Sequence, residues 1–573
     1  MKKRFSYAIA ALVGLLYGLV TVLLSRLWIR CSGGVFWLIG TLSGLEDTDH
    51  ITQVLRQLKT VSIASPWVAV LLAGAALGAL FYLLISRCKR KKAIACWVGI
   101  PLLLPASLAL VLFTKVNDIR PSAMFTRAPE AASYPVETYA SQGERWYVGF
   151  GRQPILPDET SSEPLYIAGY NFGVEITGIR DYCEARAVWL DTGEQGILLI
   201  GIDCVGLDSG TVDTIRQNLT DLPNCASINV YATHTHAGID TLGLWGPMAV
   251  DGKNDAYMEN LILAATQAGR DAAAGRIPGK LRLGQIRTPD MFRDSRLPQV
   301  LDENLYQLRF VPDDGAAGTR MFFYGAHAEA LRSANTLASR DYPGVLCDAV
   351  TAATGDHTMF FPGAIGGLIM TRDFVDPIAD PEGNLAITSE KLVAFALAIT
   401  EDMERELSPS LTWGRQRFVV PMDNTVFLIC RYLGVLHNKA VRCDSATGYG
   451  VDTELALVKL DDLGVALLPG EIFPELVYGP LYGDANPTAV NPEALRTKAA
   501  RSGCKELLVV GLCNDEIGYI VPPSDFLVNE KLPYLERTTD YKGEDHYEET
   551  NSIGPKCADT IATAFQAVAD ALT

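Results

Sequence analysis

Three long apolar runs near the start of the 573-residue chain constrain its fold more than any other feature. They are Phe5 to Ser25, Pro66 to Ile85 and Ala93 to Phe113, and none contains a charged residue. About 20 apolar residues are enough for a helix to cross a hydrocarbon core of roughly 30 Å. The first run is too long for a secretory signal, and no small-x-small cleavage motif follows it. The sequence therefore predicts three transmembrane helices, at about 5–25, 66–85 and 93–113.

Basic residues set the expected orientation of these helices. The chain starts with MKKR, and RCKRKK (Arg87 to Lys92) separates the second run from the third. Such segments face the cytoplasm, so everything after Phe113 is expected outside it. The sequence predicts a multi-pass cell-membrane protein with an anchor at 1–115, a linker rich in Pro, Ala and Ser at 116–145, and one extracytoplasmic domain at 146–573.

Charge divides the chain at the same border. Residues 1–115 contain 13 Lys+Arg and 3 Asp+Glu, so the remainder contains 36 basic and 63 acidic residues. Nucleic-acid phosphates are bound by Lys and Arg, so this acidic remainder argues against a nucleic-acid partner. It favours a neutral or cationic substrate. Nine of the 12 cysteines follow residue 115 without close spacing, which is typical of isolated core cysteines rather than of a disulfide framework.

Alternating apolar patterns beyond residue 146 predict an α/β domain with a mixed sheet. ILLIGIDCV and INVYAT are typical of buried strands, and TVDTIRQNL between them has helical spacing, so we expect a βαβ unit with parallel strands. Further strands are expected at LYQLRFV, TRMFFYGA, HTMFFPG and ELLVVGL, with a hairpin at LALVKLDDLGVALLP. Helices are expected at NDAYMENLILAATQAGRDAAAG, SEKLVAFALAITEDMEREL and KCADTIATAFQAVADAL.

The segment YATHTHAGID places two of the chain's seven histidines one residue apart at the end of a predicted strand. In open α/β sheets, sites form at the carboxyl ends of strands. Residues two apart in an extended backbone point to the same side, so His234 and His236 are expected to face one cavity. This arrangement fits a metal site, and it fits two hydrogen-bonded surface residues equally well.

Other strand ends carry similar residues. TRMFFYGAH places His327 after an apolar strand, LLPGEIF places Glu471 after the hairpin, and ELLVVGLCNDEIGYI places Tyr519 after another strand. Each has a structural alternative, since Glu471 could stabilise a helix N-terminus and Tyr519 could be a core residue. Spacing alone leaves open whether these side chains meet.

These segments resemble, in their order, the landmarks of the neutral/alkaline non-lysosomal ceramidases. The similar segments run from Trp146 to the C-terminus: VGFGRQPI, GYNFGVEITGIRDYCEARAVWL, THTHAG, FFYGAH, LLPGE, NDEIGYI and HYEETNSIGP. The resemblance implies a ceramidase-like zinc hydrolase domain, with Zn²⁺ held by His234, His327, Glu471 and Tyr519. It further implies that His236 moves a proton or holds the attacked group, and that Tyr547 assists at the scissile amide.

One departure from the family pattern concerns the nucleophile. The family carries a serine in an Asn-Gly-Asp-x-Ser-Pro-like loop, and its place in FFPGAIGGLIMTRDF falls on Ile369, which cannot attack a carbonyl. Thr371 is a weak substitute two residues further on. The amides of Gly363, Gly366 and Gly367 could contact an oxyanion or could simply form a tight turn. Because zinc can itself activate water, hydrolysis is still expected.

The predicted function is that of a membrane-anchored, zinc-dependent amidohydrolase. Its expected substrates are ceramide-like or other N-acylated lipid or cell-envelope amides, and its expected partners are such a substrate and the membrane. A catalytically degenerate binding protein that keeps the metal is the alternative. A transporter is disfavoured, because the three apolar runs contain none of the intramembrane charges that transport helices use.

Overall fold

The structure is a computed structural model that describes residues 131–158, 163–247, 250–294, 296, 299–432, 434–479 and 489–573. All of these belong to one compact unit, Arg120–Thr573. The three apolar runs predicted to span a membrane lie outside the described residues.

The described part of the chain contains both helices and strands, and the strands range from 2 to 13 residues. The strands are β1 (Glu137–Gln142), β2 (Trp146–Pro154), β3 (Gly178–Ile179), β4 (Glu184–Asp191), β5 (Gly196–Ile202), β6 (Cys225–Ala232), β7 (Ile277–Arg287), β8 (Phe292–Arg293), β9 (Asn304–Pro312), β10 (Thr319–Tyr324), β11 (Leu337–Ala338), β12 (His357–Pro362), β13 (Met370–Thr371), β14 (Glu404–Leu407), β15 (Ser410–Met422), β16 (Ala440–Arg442), β17 (Tyr449–Leu460), β18 (Leu463–Leu467), β19 (Glu471–Ile472), β20 (Glu506–Val510), β21 (Tyr519–Ile520), β22 (Thr538–Thr539) and β23 (Asp545–His546).

The helices lie between these strands. The α-helices are α1 (Ser209–Asn218), α2 (Asp255–Ala274), α3 (Asp341–Thr354), α4 (Pro381–Leu397), α5 (Thr425–Tyr432), α6 (Pro474–Tyr478), α7 (Leu495–Arg501) and α8 (Cys557–Ala571), and the 3₁₀ turns are Glu401–Met403, Pro523–Asp525 and Glu548–Asn551. Several helix starts are fixed by side-chain caps, which satisfy free backbone N–H groups. Asp208 accepts from Gly210 and Thr211 at the start of α1, and Asn254 accepts from Tyr257 at the start of α2.

Two sheets form the centre of the domain. The larger sheet has nine strands in the order β12-β10-β9-β7-β2-β4-β5-β6, with β14 attached to β7. The smaller has six, in the order β1-β15-β17-β18-β20, with β16 attached to β17. Neighbours are parallel at β5/β6, β10/β12 and β18/β20, and antiparallel at the other pairs of these two sheets.

Apolar side chains place the sheets face to face with helices outside. One core joins Trp146, Leu308 and Phe361 of the larger sheet to Trp413 and Val465 of the smaller sheet. A second and a third core pack α1 with α2, and α3 with α4, against the outer face of the larger sheet. A fourth packs α7 and α8 against the outer face of the smaller sheet. The layers are therefore helix, sheet, sheet, helix, which buries both faces of both sheets.

The structure confirms most of the predicted elements. The βαβ unit is β5-α1-β6, and its two strands are parallel with Ile197 opposite Ser227. The predicted helix that ends in MEREL is wrong at its end, because α4 stops at Leu397 and Glu404–Leu407 is strand β14 on the edge of β7. Glu404 is buried there and pairs with Arg309 at 2.6 Å, a tertiary contact that overrides local helix propensity.

The predicted fold class needs a second and larger correction. It combined a mixed α/β domain with three transmembrane helices, and only the α/β part stands. A search of the described residues finds no helix that is both long and apolar enough to span a bilayer. The fold of the described residues is a mixed α/β domain. Strand β1 lies within the segment 116–145 that the sequence assigned to a linker, where it pairs with β15.

Candidate metal centre

Five loops meet at the carboxyl ends of the sheet strands. They follow β6, β10, β12, β18 and β20 and carry the residues that the sequence singled out, except Tyr547, which follows β23. Short bridges tie the loops together, pairing Thr235 with Ala328 and His327 with Met370. Strand β19 pairs in parallel with β21, which sets Glu471 opposite Tyr519. The convergence that the sequence left open is therefore present in the fold.

His234 leaves the strand in an unusual backbone conformation. Its φ is +64°, in the left-handed region that non-glycine residues rarely adopt, so a turn at this residue replaces the extended backbone expected for HTH. The imidazole Nδ1 lies 2.6 Å from the carbonyl oxygen of Val205 and donates to it. In the neutral ring Nε2 therefore carries the lone pair, and this atom lies 3.1 Å from Nε2 of His236. The two rings still meet, but through this turn.

His327 and Glu471 complete a compact cluster. The His327 ring is fully buried, its Nδ1 donates to the carbonyl oxygen of Ile369 at 2.7 Å, and its Nε2 lies 2.9 Å from Oε2 of Glu471. The same carboxylate oxygen lies 3.4 Å from Nε2 of His234. Backbone carbonyls thus fix the tautomers of both histidines and turn their Nε2 atoms toward one carboxylate, as in many zinc sites.

The donor set fits a zinc ion. One ligand atom from each of His234, His236 and His327 lies within 4.8 Å of the other two. Imidazole nitrogen and carboxylate oxygen are ordinary zinc ligands, and Glu471 adds the carboxylate. Two of the three rings have their second nitrogen bound to a backbone carbonyl, which is the usual support for a metal-binding histidine. We therefore call His234, His327 and Glu471 the metal cluster, and the His236 ring lies against it.

Two tyrosines lie beside this cluster. The hydroxyl of Tyr519 is 3.3 Å from that of Tyr547, and the two rings meet edge to face. Burial, and then the Glu471 carboxylate, raise the pKa of Tyr519 well above its ordinary value. Burial and then Glu548 do the same to the pKa of Tyr547. Both are neutral phenols near pH 7, and a metal cation bound beside Tyr519 would lower its pKa and favour the phenolate.

Glu471 and the neighbouring histidines shift one another's pKa values. Burial alone would raise the pKa of Glu471, but the adjacent His234 and His327 outweigh it and hold this pKa well below its usual range. Burial by itself would lower the pKa of His327. The hydrogen bond to Glu471 and the charge of that carboxylate outweigh burial, so the pKa of His327 is raised. For His236, burial and then the neighbouring His234 and His327 lower the pKa well below its ordinary value. His236 is therefore neutral near pH 7, and one of its ring nitrogens carries a lone pair.

The loop after β12 has no accessible hydroxyl group at Ile369, the position expected for the nucleophile, or at Thr371. Ile369 is 2% exposed, and its carbonyl oxygen accepts from both the backbone and the ring of His327. Thr371 is fully buried in β13. The amides of Gly363 and Gly366 donate to the carbonyl oxygens of Tyr324 and Ile472, so these two glycines serve the backbone and do not form an oxyanion site.

Three further residues belong to this site although no sequence motif singles them out. Glu329 is buried two residues after His327, accepts from the Tyr170 hydroxyl at 2.5 Å and lies 2.9 Å from Nη1 of Arg332. Tyr170 meets the ring of His236 edge to face. The signal that could have pointed to Glu329 is its two-residue spacing from His327, which repeats the HTH spacing at a second strand end.

The fold and the cluster define a class of protein: a mixed α/β domain with a buried histidine, glutamate and tyrosine site at the carboxyl ends of its strands. Solved structures give the particular likeness. The neutral ceramidase from Pseudomonas aeruginosa superposes with a TM-score of 0.59 at 15% identity, and 75% of each chain is covered. A ceramidase complexed with C2 gives a TM-score of 0.58 at 14% identity over the same shares. The predicted resemblance to neutral ceramidases is confirmed in the fold.

Sequence comparisons add nothing to this likeness. The scan against protein-family models gives no match, and the search of curated protein sequences gives none either. At 14 and 15% identity the structural match establishes the fold of the chain. The chemistry of the site must be argued from its own residues.

Proposed function

We propose that this protein is a zinc-dependent amidohydrolase of the ceramidase type. The observation that carries the proposal is the meeting of His234, His327 and Glu471, whose facing atoms lie 2.9 and 3.4 Å apart. These residues come from three different loops, and a neutral ceramidase shares the fold that brings them together. Convergence of buried donors with set tautomers at strand ends is the usual architecture of a catalytic metal site.

In this proposal the zinc ligands are His234, His327, Glu471 and Tyr519. When bound, zinc supplies Lewis acidity, which polarises a carbonyl group and makes water more acidic. His236 lies against the ligands without being needed as one, and its neutral ring takes a proton at Nε2. Tyr547 keeps its proton at neutral pH and donates from its hydroxyl to the developing charge of the substrate.

The proposed substrate is an N-acylated lipid or lipid-like amide. The likeness to ceramidases supports this class, and the acidic domain accords with a neutral or cationic substrate rather than an anionic one. With Ile369 in the expected nucleophile position, attack by water replaces attack by a serine hydroxyl. Ceramide and short-chain N-acyl amides are therefore the first compounds to assay.

The test uses the purified full chain. Zinc per chain is measured by inductively coupled plasma mass spectrometry, and fatty-acid release is measured from ceramide and from short-chain N-acyl amides. We expect about one zinc per chain and turnover that a chelator removes and added zinc restores. Zinc binding with no turnover on any acyl amide would instead support the metal-retaining binding protein, for which the missing serine is the specific argument.

A further inference from the structure

The carboxylate of Glu329 is held firmly next to the metal cluster. Its side chain is 3% exposed, one oxygen lies 2.9 Å from Nη1 of Arg332, and the other accepts the Tyr170 hydroxyl at 2.5 Å. Arg332 is fixed in turn by Asp373 at 2.8 Å. A buried carboxylate is costly unless it is paired, and these partners hold Glu329 in one orientation.

The His236 ring is held between that carboxylate and the metal cluster. The centroids of the Tyr170 and His236 rings lie 5.3 Å apart in an edge-to-face arrangement, and a Cβ on Gly169 would come within 2.7 Å of Nδ1 of His236. Because Gly169 has no side chain, its backbone can approach this closely and limit the swing of the ring. The ring therefore presents Nε2 to the cluster and Nδ1 to Glu329, whose Oε2 lies 3.7 Å away.

Two acceptors compete for the single proton of a neutral His236. His234 Nδ1 donates to Val205, so in the neutral ring its Nε2 has a lone pair, and this atom lies 3.1 Å from His236 Nε2. Glu329 is the acceptor on the other side of the ring. Nδ1 of His236 is buried and makes no hydrogen bond with any described residue, as expected when the proton is on Nε2. This competition makes the tautomer of His236 sensitive to whatever occupies the His234 lone pair.

We propose that Glu329 is a positioning residue that selects the tautomer of His236, an inference that rests on the proposed function. Once the Nε2 lone pair of His234 is committed to a zinc ion, it no longer accepts from His236. Glu329 is then the remaining acceptor, and the ring proton moves from Nε2 to Nδ1 by exchange with water. The Nε2 lone pair of His236 is thereby freed toward the cluster, where it accepts the proton of the attacking water.

Glutamine at position 329 separates this role from simple burial. Arg332 holds the amide oxygen of the new side chain, so its NH₂ group faces His236 and donates to Nδ1, which stabilises the opposite tautomer. The matched control is Glu404→Gln. Glu404 is also a buried carboxylate, with 1% of its side chain exposed and an arginine partner at 2.6 Å, but it lies on the edge strand β14.

The closing experiment records long-range ¹H–¹⁵N spectra of the full chain labelled with ¹⁵N only at histidine, before and after adding zinc. His236 is assigned by its loss in His236→Gln. We expect zinc to move His236 from the Nε2–H to the Nδ1–H form in the wild type and in Glu404→Gln, but not in Glu329→Gln. A wild-type tautomer that does not change with zinc would overturn the proposal without any variant having to fold.

Kinetics then distinguish this inference from the proposed function. For Glu329→Gln we expect kcat to fall about 10- to 100-fold while KM and zinc content stay near wild type. Unchanged kcat, or a loss of activity that excess zinc restores, would sink the positioning role. If no amide is hydrolysed by the wild type but the zinc-dependent tautomer change appears, the proposed function fails while the role of Glu329 stands.

Discussion

The carbonyl oxygens of Val205 and Ile369 determine which nitrogen each neighbouring histidine presents to the cluster. Both accept from an Nδ1, at 2.6 and 2.7 Å, and so direct Nε2 of His234 and His327 toward Glu471. No backbone carbonyl does this for His236, whose Nδ1 makes no hydrogen bond with the described residues. The two proposed histidine ligands therefore differ from His236, the proposed proton carrier, in one hydrogen bond from Nδ1 to a backbone carbonyl.

This difference predicts an order among the histidine variants. We expect His234→Ala and His327→Ala to lower zinc occupancy much more than His236→Ala, because the first two share the Glu471 carboxylate. Zinc per chain, measured by mass spectrometry after dialysis against a weak chelator, gives the comparison. Equal losses in all three variants would make His236 a third histidine ligand of the metal.

The hydroxyl groups at the site predict a second result. Tyr547→Phe removes the proposed donor to the developing charge, so kcat should fall about 100-fold or more, the usual size for one such donor. Thr371→Val keeps the volume of a buried side chain and should leave kcat near wild type. Steady-state rates on an N-acyl amide test both variants, and intact-protein mass spectrometry should detect no acyl-enzyme. Burst kinetics with an acyl mass on the protein would show a nucleophilic side chain instead.

At the scale of elements, the short pair β19–β21 holds two of the proposed zinc ligands. Glu471 and Tyr519 are opposite one another in this pair, and each directly follows a glycine with positive φ. A Cβ on Gly518 would lie 2.0 Å from the carbonyl oxygen of Asn551, and its φ is +85°. The pair can form at this place only because the chain carries glycine at these turns.

Gly518→Ala should therefore disturb stability and metal binding together. We expect the free energy of unfolding to fall by about 2 kcal/mol or more, since the backbone must move as well as adopt a strained φ. Zinc occupancy should fall too, because Tyr519 is displaced. The control is Gly448→Ala, with φ +77° and no described atom within 4 Å of its Cβ, which should cost only about 1–2 kcal/mol and leave zinc unchanged. Thermal unfolding and zinc analysis check both.

At the scale of the whole molecule, a buried acidic cluster surrounds Arg296. Arg296 is 3% exposed and pairs with Asp525, Glu548 and Glu549 at 2.8–3.0 Å. Glu475 lies close to the same group, and burial, followed by the charge of Asp525, raises its pKa to about 8. One arginine thus faces several carboxyl groups, so the protonation of this cluster must contribute to stability.

The raised pKa of Glu475 gives a pH-dependent prediction. In the unfolded chain a glutamate carboxyl titrates near pH 4.3. The stabilising contribution of the protonated Glu475 carboxyl is therefore fully present below that pH and is lost as the pH rises toward about 8. Glutamine does not ionise. Glu475→Gln should therefore match the wild type at pH 4 and exceed it by pH 8, on the order of a few kcal/mol. Denaturant unfolding at the two pH values measures the difference.

A matched variant controls for the substitution itself. Glu406 is 49% exposed and pairs with Lys280, so Glu406→Gln should change stability by less than about 0.5 kcal/mol at both pH values. A constant difference between Glu475→Gln and the wild type across the range would show that Glu475 is ionised in the folded state and would contradict the prediction.

Much of the element pattern was readable in the sequence, because apolar periodicity is a local property. The βαβ unit, the hairpin β17–β18 and the helices α2 and α8 follow directly from it. Strand β1, with the polar sequence ETYASQ, carries no such signal and exists because β15 offers it an edge. Glu404 likewise becomes part of a strand through its tertiary partner Arg309, which local propensity cannot register.

The sequence by itself determined which residue types stand at the strand ends and the order of segments that resembles the ceramidases. Only the tertiary structure decided that they meet. His234 and Glu471 are far apart in the chain, and the loops between them impose no distance, so packing of the two sheets sets their separation at 3.4 Å. The turn at His234 and the tautomers set by Val205 and Ile369 also depend on long-range contacts. The place of Glu329 beside His236 also depends on tertiary structure, because the two residues lie on different loops that only the fold brings together.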